Sequence, residues 1–228
     1  RKRDTAMIRS WTRREFILAG GLVVAGAIAL DLSRGVSGMD AEDHVPTPSE
    51  TYGGEASMSG RVLVGYATRT GTTTGVAQAI GEELASRGFT VDVKPVKERP
   101  DVAGYDAVVL GSAVNGAAWL PEAVEFAERS ALTLKTLPTA IFSVHIMNLG
   151  DDEKAARKRS AYTKAVRKAV SPVAEAFFAG KGPDASDTSL IARWAFKAFG
   201  GGGEGDCRDW DAIRAWAKSV DLGLGEGA

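Results

Sequence analysis

The sequence predicts an α/β protein: a doubly wound, five-stranded parallel sheet in the order 2-1-3-4-5, with helices on both faces. Three observations carry that expectation. Short apolar runs alternate with stretches of helical character, which is the β-α-β pattern of parallel sheets. Two of those runs, RVLVGYA at 61–67 and DAVVLGSAV at 106–114, are apolar almost throughout, as strands buried on both faces are. A threonine-rich loop follows the first run directly and opens a helix, which puts a ligand loop at the carboxyl end of a strand.

The elements follow in order. After the first strand, TTTGVAQAIGEELASRG sets Val76, Ala77, Ile80 and Leu84 on one helical face, with Gly88 as the stop. FTVDVKPV (89–96) alternates apolar and polar residues like a half-exposed strand. Pro95 confines it to an edge or a strand end, so this second strand is placed at the sheet edge. The buried strand 106–114 leads to Pro121, which suits the first turn of a helix reaching Arg129. PTAIFSV (138–144) is the fourth strand and VAEAFFAG (173–180) the fifth. A charged helix is expected near 152–169, an aromatic-bearing helix near 189–199 and a terminal helix over 208–220. The folded domain spans 61–222 and a tail spans 223–228.

The 228 residues are 44% hydrophobic and 25% charged, enough for one domain with a real core plus extra segments. Net charge is −1, but residues 1–30 hold six Lys/Arg and two Asp/Glu, leaving 22 basic against 27 acidic groups in the rest. A mildly acidic body argues against a general nucleic-acid binder. Cys207 is the single cysteine, so no internal disulfide can form. With only His44 and His145 besides, there is no metal-ligand cluster, and no metal is expected.

The N-terminus reads as an address. Phe16 to Leu30 carries no charge, a run of about 15 residues where a spanning helix needs roughly 20, so it suits a signal core. Ahead of it, Thr12-Arg13-Arg14-Glu15-Phe16-Ile17-Leu18 resembles the twin-arginine signal, which a receptor reads. Met7 is a candidate start, and Ala27-Ile28-Ala29 is the best candidate for cleavage. An uncleaved anchor and a buried helix are the competing readings. Residues 31–60, rich in Gly, Ser, Pro and acids without an apolar period, read as a flexible linker in which His44 is a bystander.

The chemistry gathers in YATRTGTTTG. Thr68, Thr70, Thr72, Thr73 and Thr74 supply hydroxyls, and a helix begins among them. Backbone N–H groups at a helix start favour an anion, and hydroxyls add donors, so the loop suits a phosphate. It lacks the Gly-Lys-Ser/Thr of a P-loop and the Gly-x-Gly-x-x-Gly dinucleotide spacing. An ordinary threonine-rich loop with a helix cap is the bland alternative.

Thr68-x-Thr70-Gly71-x-Thr73 resembles the FMN-phosphate signature of flavodoxins. The run from Tyr66 to Thr73 is closer still to the flavodoxin-like menaquinone-dependent protoporphyrinogen IX dehydrogenases. LGSAVNGAAWL (110–120) is similar to that family's second flavin loop, and FSVHIMNLG (142–150) to its third. GDCRDWDAIRAWA (205–217) is similar to its closing helix. The resemblance covers about residues 61–220, nearly the whole expected domain. It implies that Thr68, Arg69, Thr70, Gly71, Thr72 and Thr73 hold the phosphate of FMN. Ser112, Ala113, Val114, Asn115 and Gly116 would line the flavin ring, with Trp119 a candidate stacker, and Ser143, Val144 and His145 would complete the far side. Each of three residues keeps a second reading: Trp119 as packed core, His145 as a hydrogen-bonded structural histidine rather than a proton donor, and Arg69 as a solvated loop charge.

Partners follow from the same resemblance and from two further segments. Residues 151–170 place Lys154, Arg157, Lys158, Arg159, Lys164, Arg167 and Lys168 on one helical stretch, fit for porphyrin propionates or anionic lipid head groups, or simply solvated. Residues 189–199 carry Ile191, Trp194, Phe196 and Phe199, suited to a membrane surface, a quinone pocket or the core. Cys207 has no histidine partner nearby in sequence and is read as structural. The resemblance implies oxidation of protoporphyrinogen IX with a quinone acceptor. An exported copy would not meet a haem precursor made in the cytoplasm. Two alternatives therefore stand beside that reaction: an FMN shuttle for an extracytoplasmic redox partner, and a flavin-free scaffold.

Overall fold

The computed structural model describes residues 45–54, 60–182 and 205–225. The address segment, the first part of the expected linker and the helix expected near 189–199 lie outside the described residues. The chain runs through β1 (Glu50–Tyr52), β2 (Arg61–Ala67), α1 (Thr72–Ser86), β3 (Thr90–Pro95), β4 (Ala107–Asn115) and β5 (Ala118–Trp119). It continues through α2 (Pro121–Arg129), α3 (Ala131–Leu134), β6 (Thr139–His145), α4 (Glu153–Ser160), β7 (Ala174–Ala179) and α5 (Trp210–Ser219). Among the described residues, no helix is long and apolar enough to cross a membrane.

The fold is a doubly wound α/β sandwich around a mostly parallel sheet. Strands β3, β2, β4, β6 and β7 pair in parallel in that order. The period of two along each strand divides the core. Val62, Val64 and Tyr66 of β2 join Val109 of β4 and Phe142 of β6 under α1 and α5. Leu63 and Ala67 of β2 join Leu110 and Ile141 on the opposite face, under α2. The apolar runs of the sequence therefore feed two cores, one on each face. Phe142, Phe178 and Trp216 close the first, with Phe178 and Trp216 edge to face at 5.7 Å.

Three expectations need correction. The sheet has more than five strands, because β5 folds back on β4 as a hairpin and β1 adds an antiparallel strand outside β3. Residues 50–52, assigned to the linker, are thus part of the sheet, and β3 is not its edge. The N–H and C=O groups on the outer side of β3 need partners, and β1 supplies them. Its anchor is polar, which is why no apolar period announced it: Thr51 Oγ1 donates to Asp92 Oδ1 at 2.6 Å.

The second correction is the exposure of β3. Asp92 is 1% exposed. Its carboxylate also accepts from Arg61 Nη2 and the Tyr105 hydroxyl, both at 2.7 Å, with Lys94 Nζ at 3.8 Å. Burial alone would raise its pKa. The bonds from Thr51, Tyr105 and Arg61, and then the Lys94 charge, outweigh burial and hold the carboxyl below its usual range.

The third concerns the charged helix near 152–169. Only Glu153–Ser160 is α-helical, and a short 3-10 turn covers Val166–Lys168. Buried Tyr162, Thr163 and Val166 pull the second half onto the sheet. Several cations are also used internally: Arg157 pairs with Glu153, Arg159 donates to the carbonyls of Asn148 and Gly150, and Arg167 pairs with Glu175.

Candidate functional site

Three strand ends lie side by side. The register sets Ala67 of β2 against Ser112 of β4, and Ser112 against Ser143 of β6. The loops that leave these strands at their carboxyl ends therefore share one edge of the sheet, where ligands of doubly wound folds collect. Thr68–Thr73, Ser112–Gly116 and Ser143–His145 are brought together there.

The first loop turns into α1 through Gly71, whose φ of +78° lies in the left-handed region, and Thr74 N–H closes the turn onto Gly71 O at 3.1 Å. No side chain caps this helix. Its first amides thus lack the partner that a capping hydroxyl or carboxylate would provide. The hydroxyl oxygens of Thr68 and Thr73 are buried without a hydrogen bond among the described residues. The Tyr66 phenol is near enough to Thr74 to be influenced by it, yet its proton goes to the Pro48 carbonyl at 3.0 Å. An unsatisfied buried hydroxyl costs about 1–3 kcal/mol. Two of them around one uncapped helix start are explained if a bound anion receives their protons. Thr70 and Thr72 bond to each other at 3.2 Å, and Arg69 is exposed.

The second loop is a two-residue hairpin. Gly116 and Ala117 have φ of +59° and +61°, which matches the twist of β4 and β5. Space is open around Gly116, and Asn115 through Ala118 are exposed, so the tip stands clear of the protein. Behind it the polar groups are spent on structure. Ser112 Oγ donates to Ala113 O at 2.8 Å and accepts from Leu120 N–H at 3.0 Å. Trp119 is 3% exposed, and its indole N–H donates to Ser143 Oγ at 2.7 Å. That is the packed-core arrangement for Trp119. It ties the second loop to the third.

At the third strand end, His145 is buried, with edge contacts to Tyr162 and Phe177. Its Nδ1–H donates to Met147 O at 2.7 Å, so the proton of the neutral ring sits on Nδ1. Burial lowers its pKa below the usual histidine value, the Met147 bond opposes this, and the Arg159 charge adds to the lowering. The lowering favours the neutral imidazole, which suits a hydrogen-bonded spacer better than a proton donor. Val144 is core.

Beside the first loop lies a cavity of about 570 Å³. One wall is the start of α1. The second is Val45, Pro46 and Pro48, from the segment leading to β1; the third is Lys181 and Arg208. The sequence reading missed both of these walls. Arg208 is expected as the first residue of the terminal helix, which begins at Trp210 instead, and its contact with Thr72 O, at 3.4 Å, spans 136 residues. The pairing of Lys181 with Asp206 and the bond from Cys207 N–H to Gly180 O bring that stretch to the end of β7.

A family model described as a flavodoxin domain matches residues 63–184, more than half of the chain. Protoporphyrinogen IX dehydrogenase (quinone) of Escherichia coli strain K12 is 30% identical over 89 residues, covering 38% of this chain and 49% of that protein. The chain therefore spans about half the length of the curated relatives it matches. The two-electron reduced flavodoxin of Megasphaera elsdenii aligns with a TM-score of 0.40 at 22% identity, over 51% of this chain and 84% of that one. Oxidised Flavodoxin 1 of Bacillus cereus aligns at 0.40 and 14% identity, over 59% and 93%.

Proposed function

The chain belongs to the flavodoxin-domain family, and from that premise we propose that it is an FMN oxidoreductase of the quinone-linked, protoporphyrinogen dehydrogenase type, exported in folded form. The observation that carries the FMN site is the set of buried, unpartnered threonine hydroxyls at the uncapped start of α1. They fit a phosphate ester: Thr68 and Thr73 would donate to its oxygens, and the first amides of α1 would complete the cradle. The left-handed turn at Gly71 would bring backbone rather than side chain to that anion. Asn115–Ala118, held out on the β4–β5 hairpin, would border the ring, with Trp119 and Ser143 fixing the hairpin from behind. When bound, FMN supplies one- and two-electron chemistry, and the protein's share is binding, orientation and the exclusion of water.

Purified protein is expected to be yellow. Thr70→Ala combined with Thr73→Ala should weaken FMN binding about twentyfold, since hydrogen bonds to a charged group are at stake; unchanged affinity in a fluorescence titration would remove the phosphate-loop assignment. An anaerobic assay against protoporphyrinogen and menaquinone analogues separates enzyme from shuttle. Oxidation of the porphyrinogen linked to quinone reduction supports the dehydrogenase reading. Electron transfer to the quinone without porphyrinogen oxidation identifies a shuttle.

Export rests on Arg13-Arg14 and the uncharged run that follows. A protein that must load a cofactor before crossing a membrane suits a route that carries folded cargo. Arg13→Lys with Arg14→Lys should retain the protein, FMN included, in the cytoplasmic fraction. Normal export of that double variant would refute the address.

A further inference from the structure

The β4–β5 hairpin and the loop that leaves β6 are both tied to one residue that lies in neither. Tyr162 follows α4 and is 2% exposed. Its carbonyl accepts the Trp119 backbone N–H at 3.3 Å, at the foot of the hairpin. Its hydroxyl accepts from Asn148 Nδ2 at 2.6 Å and donates to Met147 O at 3.3 Å, both in the loop after β6. Its ring meets His145 and Phe177 edge to face, with centroids 5.5 and 6.5 Å away. The Met147 carbonyl thus accepts two hydrogen bonds, from the Tyr162 hydroxyl and from His145 Nδ1.

Two observations set this apart from ordinary core packing. Asn148 has φ of +59°, a left-handed conformation that asparagine tolerates better than most side chains. Its amide is held there by the Tyr162 hydroxyl, and its carbonyl by Arg159 Nη1 at 2.7 Å. The hairpin tip, Asn115 through Ala118, is exposed, and Trp119 at its foot is tied down twice, by its indole N–H to Ser143 Oγ and by its backbone N–H to Tyr162. Phenylalanine would fill the same space as Tyr162; only the hydroxyl links the buried ring to Met147 and Asn148. We propose that Tyr162 is a positioning residue for the flavin ring, fixing the gap between the Asn115–Ala118 hairpin and the Met147–Asn148 loop. The inference rests on the FMN reading above and adds to it a residue outside the three loops. A closed gap of fixed polar groups keeps water away, and water admitted to it would favour the more negatively charged, reduced ring.

The test uses full-length Tyr162→Phe and Asn148→Gly, stripped of flavin and titrated with FMN and with riboflavin by the quenching of flavin fluorescence. Phenylalanine keeps the ring contacts and the backbone bond to Trp119, and glycine keeps the left-handed turn while removing the amide. Each variant should weaken both flavins alike, by about fivefold, the worth of about one hydrogen bond. The double variant should lose little more than either single one, because the bond between the two side chains is already gone in each. Oxidised FMN should lose about threefold more affinity than reduced FMN, which raises the midpoint potential by about 14 mV for a two-electron couple. Loss of FMN affinity with riboflavin unaffected would overturn the proposal, because the effect would then act at the phosphate. If the wild type binds neither flavin, the FMN reading fails and takes this inference with it. If the wild type binds FMN and the folded variants match its affinity and potential, Tyr162 is core packing alone, whatever the melting temperatures, and only this inference falls.

Discussion

Gly111→Ala is expected to destabilise the protein by about 3 kcal/mol and to lower its melting temperature by about 10 °C. Gly111 sits in the middle of β4, between Tyr66 of β2 and Phe142 of β6. A Cβ built there would stand 2.0 Å from Phe142 Cζ and 2.2 and 2.4 Å from the two Cε atoms. The Phe142 ring lies across the space that a side chain would fill. It cannot swing aside cheaply, because it is fully buried and packed against Phe178 and Trp216. Overpacking a core of this density forces off-rotamer side chains or backbone shifts. The double variant Gly111→Ala with Phe142→Leu removes the ring that clashes, and should melt higher than the sum of the two single losses predicts. A single variant that melts within about 2 °C of the wild type would show that Gly111 does not make room for the ring.

Asp92→Asn should cost about 2–3 kcal/mol near neutral pH, read as a shift of the urea midpoint at constant slope. The carboxylate gathers Thr51, Tyr105 and Arg61, with Lys94 nearby, at a site 1% exposed. An amide presents one acceptor fewer and turns two donors toward donors, leaving buried groups unsatisfied. Arg61 is half exposed and can recover water, which keeps the cost below that of a fully buried ion pair. The pH dependence has a definite sign. Asp92 is held below its ordinary pKa in the native state, so its contribution is complete above the unfolded value of about 4 and is lost as pH falls through the lower native value. The stability gap between wild type and Asp92→Asn should therefore narrow on acidification below about pH 4. A gap that stays constant to strongly acid pH would mean that the charge of Asp92 does not stabilise the native state. The same variant should loosen β1, detected as faster amide exchange at Glu50–Tyr52, because Thr51 loses its anchor.

The strands and their order of use were largely legible because each writes its burial locally. Val62 through Ala67 and Ala107 through Leu110 are buried on both faces, and such strands show as unbroken apolar runs. The helix Pro121–Arg129 starts at the proline that announced it. β3 was legible as a strand but not in its exposure. Asp92 looks solvated in sequence and is buried, because its partners lie on β1, β2 and the turn at Tyr105, far apart along the chain. The threonine-rich loop was legible for the same local reason: five threonines around one glycine at a strand-to-helix turn. Trp119 carried two readings because a tryptophan beside a helix start looks alike whether it faces a ligand or Ser143. Only the pairing of β4 with β6 places the indole N–H on that hydroxyl.

By itself, the sequence determined which segments form the parallel strands and that a threonine-rich loop opens a helix at the first strand's carboxyl end, since periodicity and punctuation are local properties. Tertiary structure decided what surrounds that loop. It brought Val45–Pro48 from before the first parallel strand, and Arg208 from the far end of the chain, to the first turn of α1. It also turned an apparent linker into the sheet's outer strand. The physical reason is common to both. Polar contacts between segments distant in the chain, 41 residues for Thr51 and Asp92 and 136 for Arg208 and Thr72, carry no periodic signature, and become visible only when folding has set the donors and acceptors face to face.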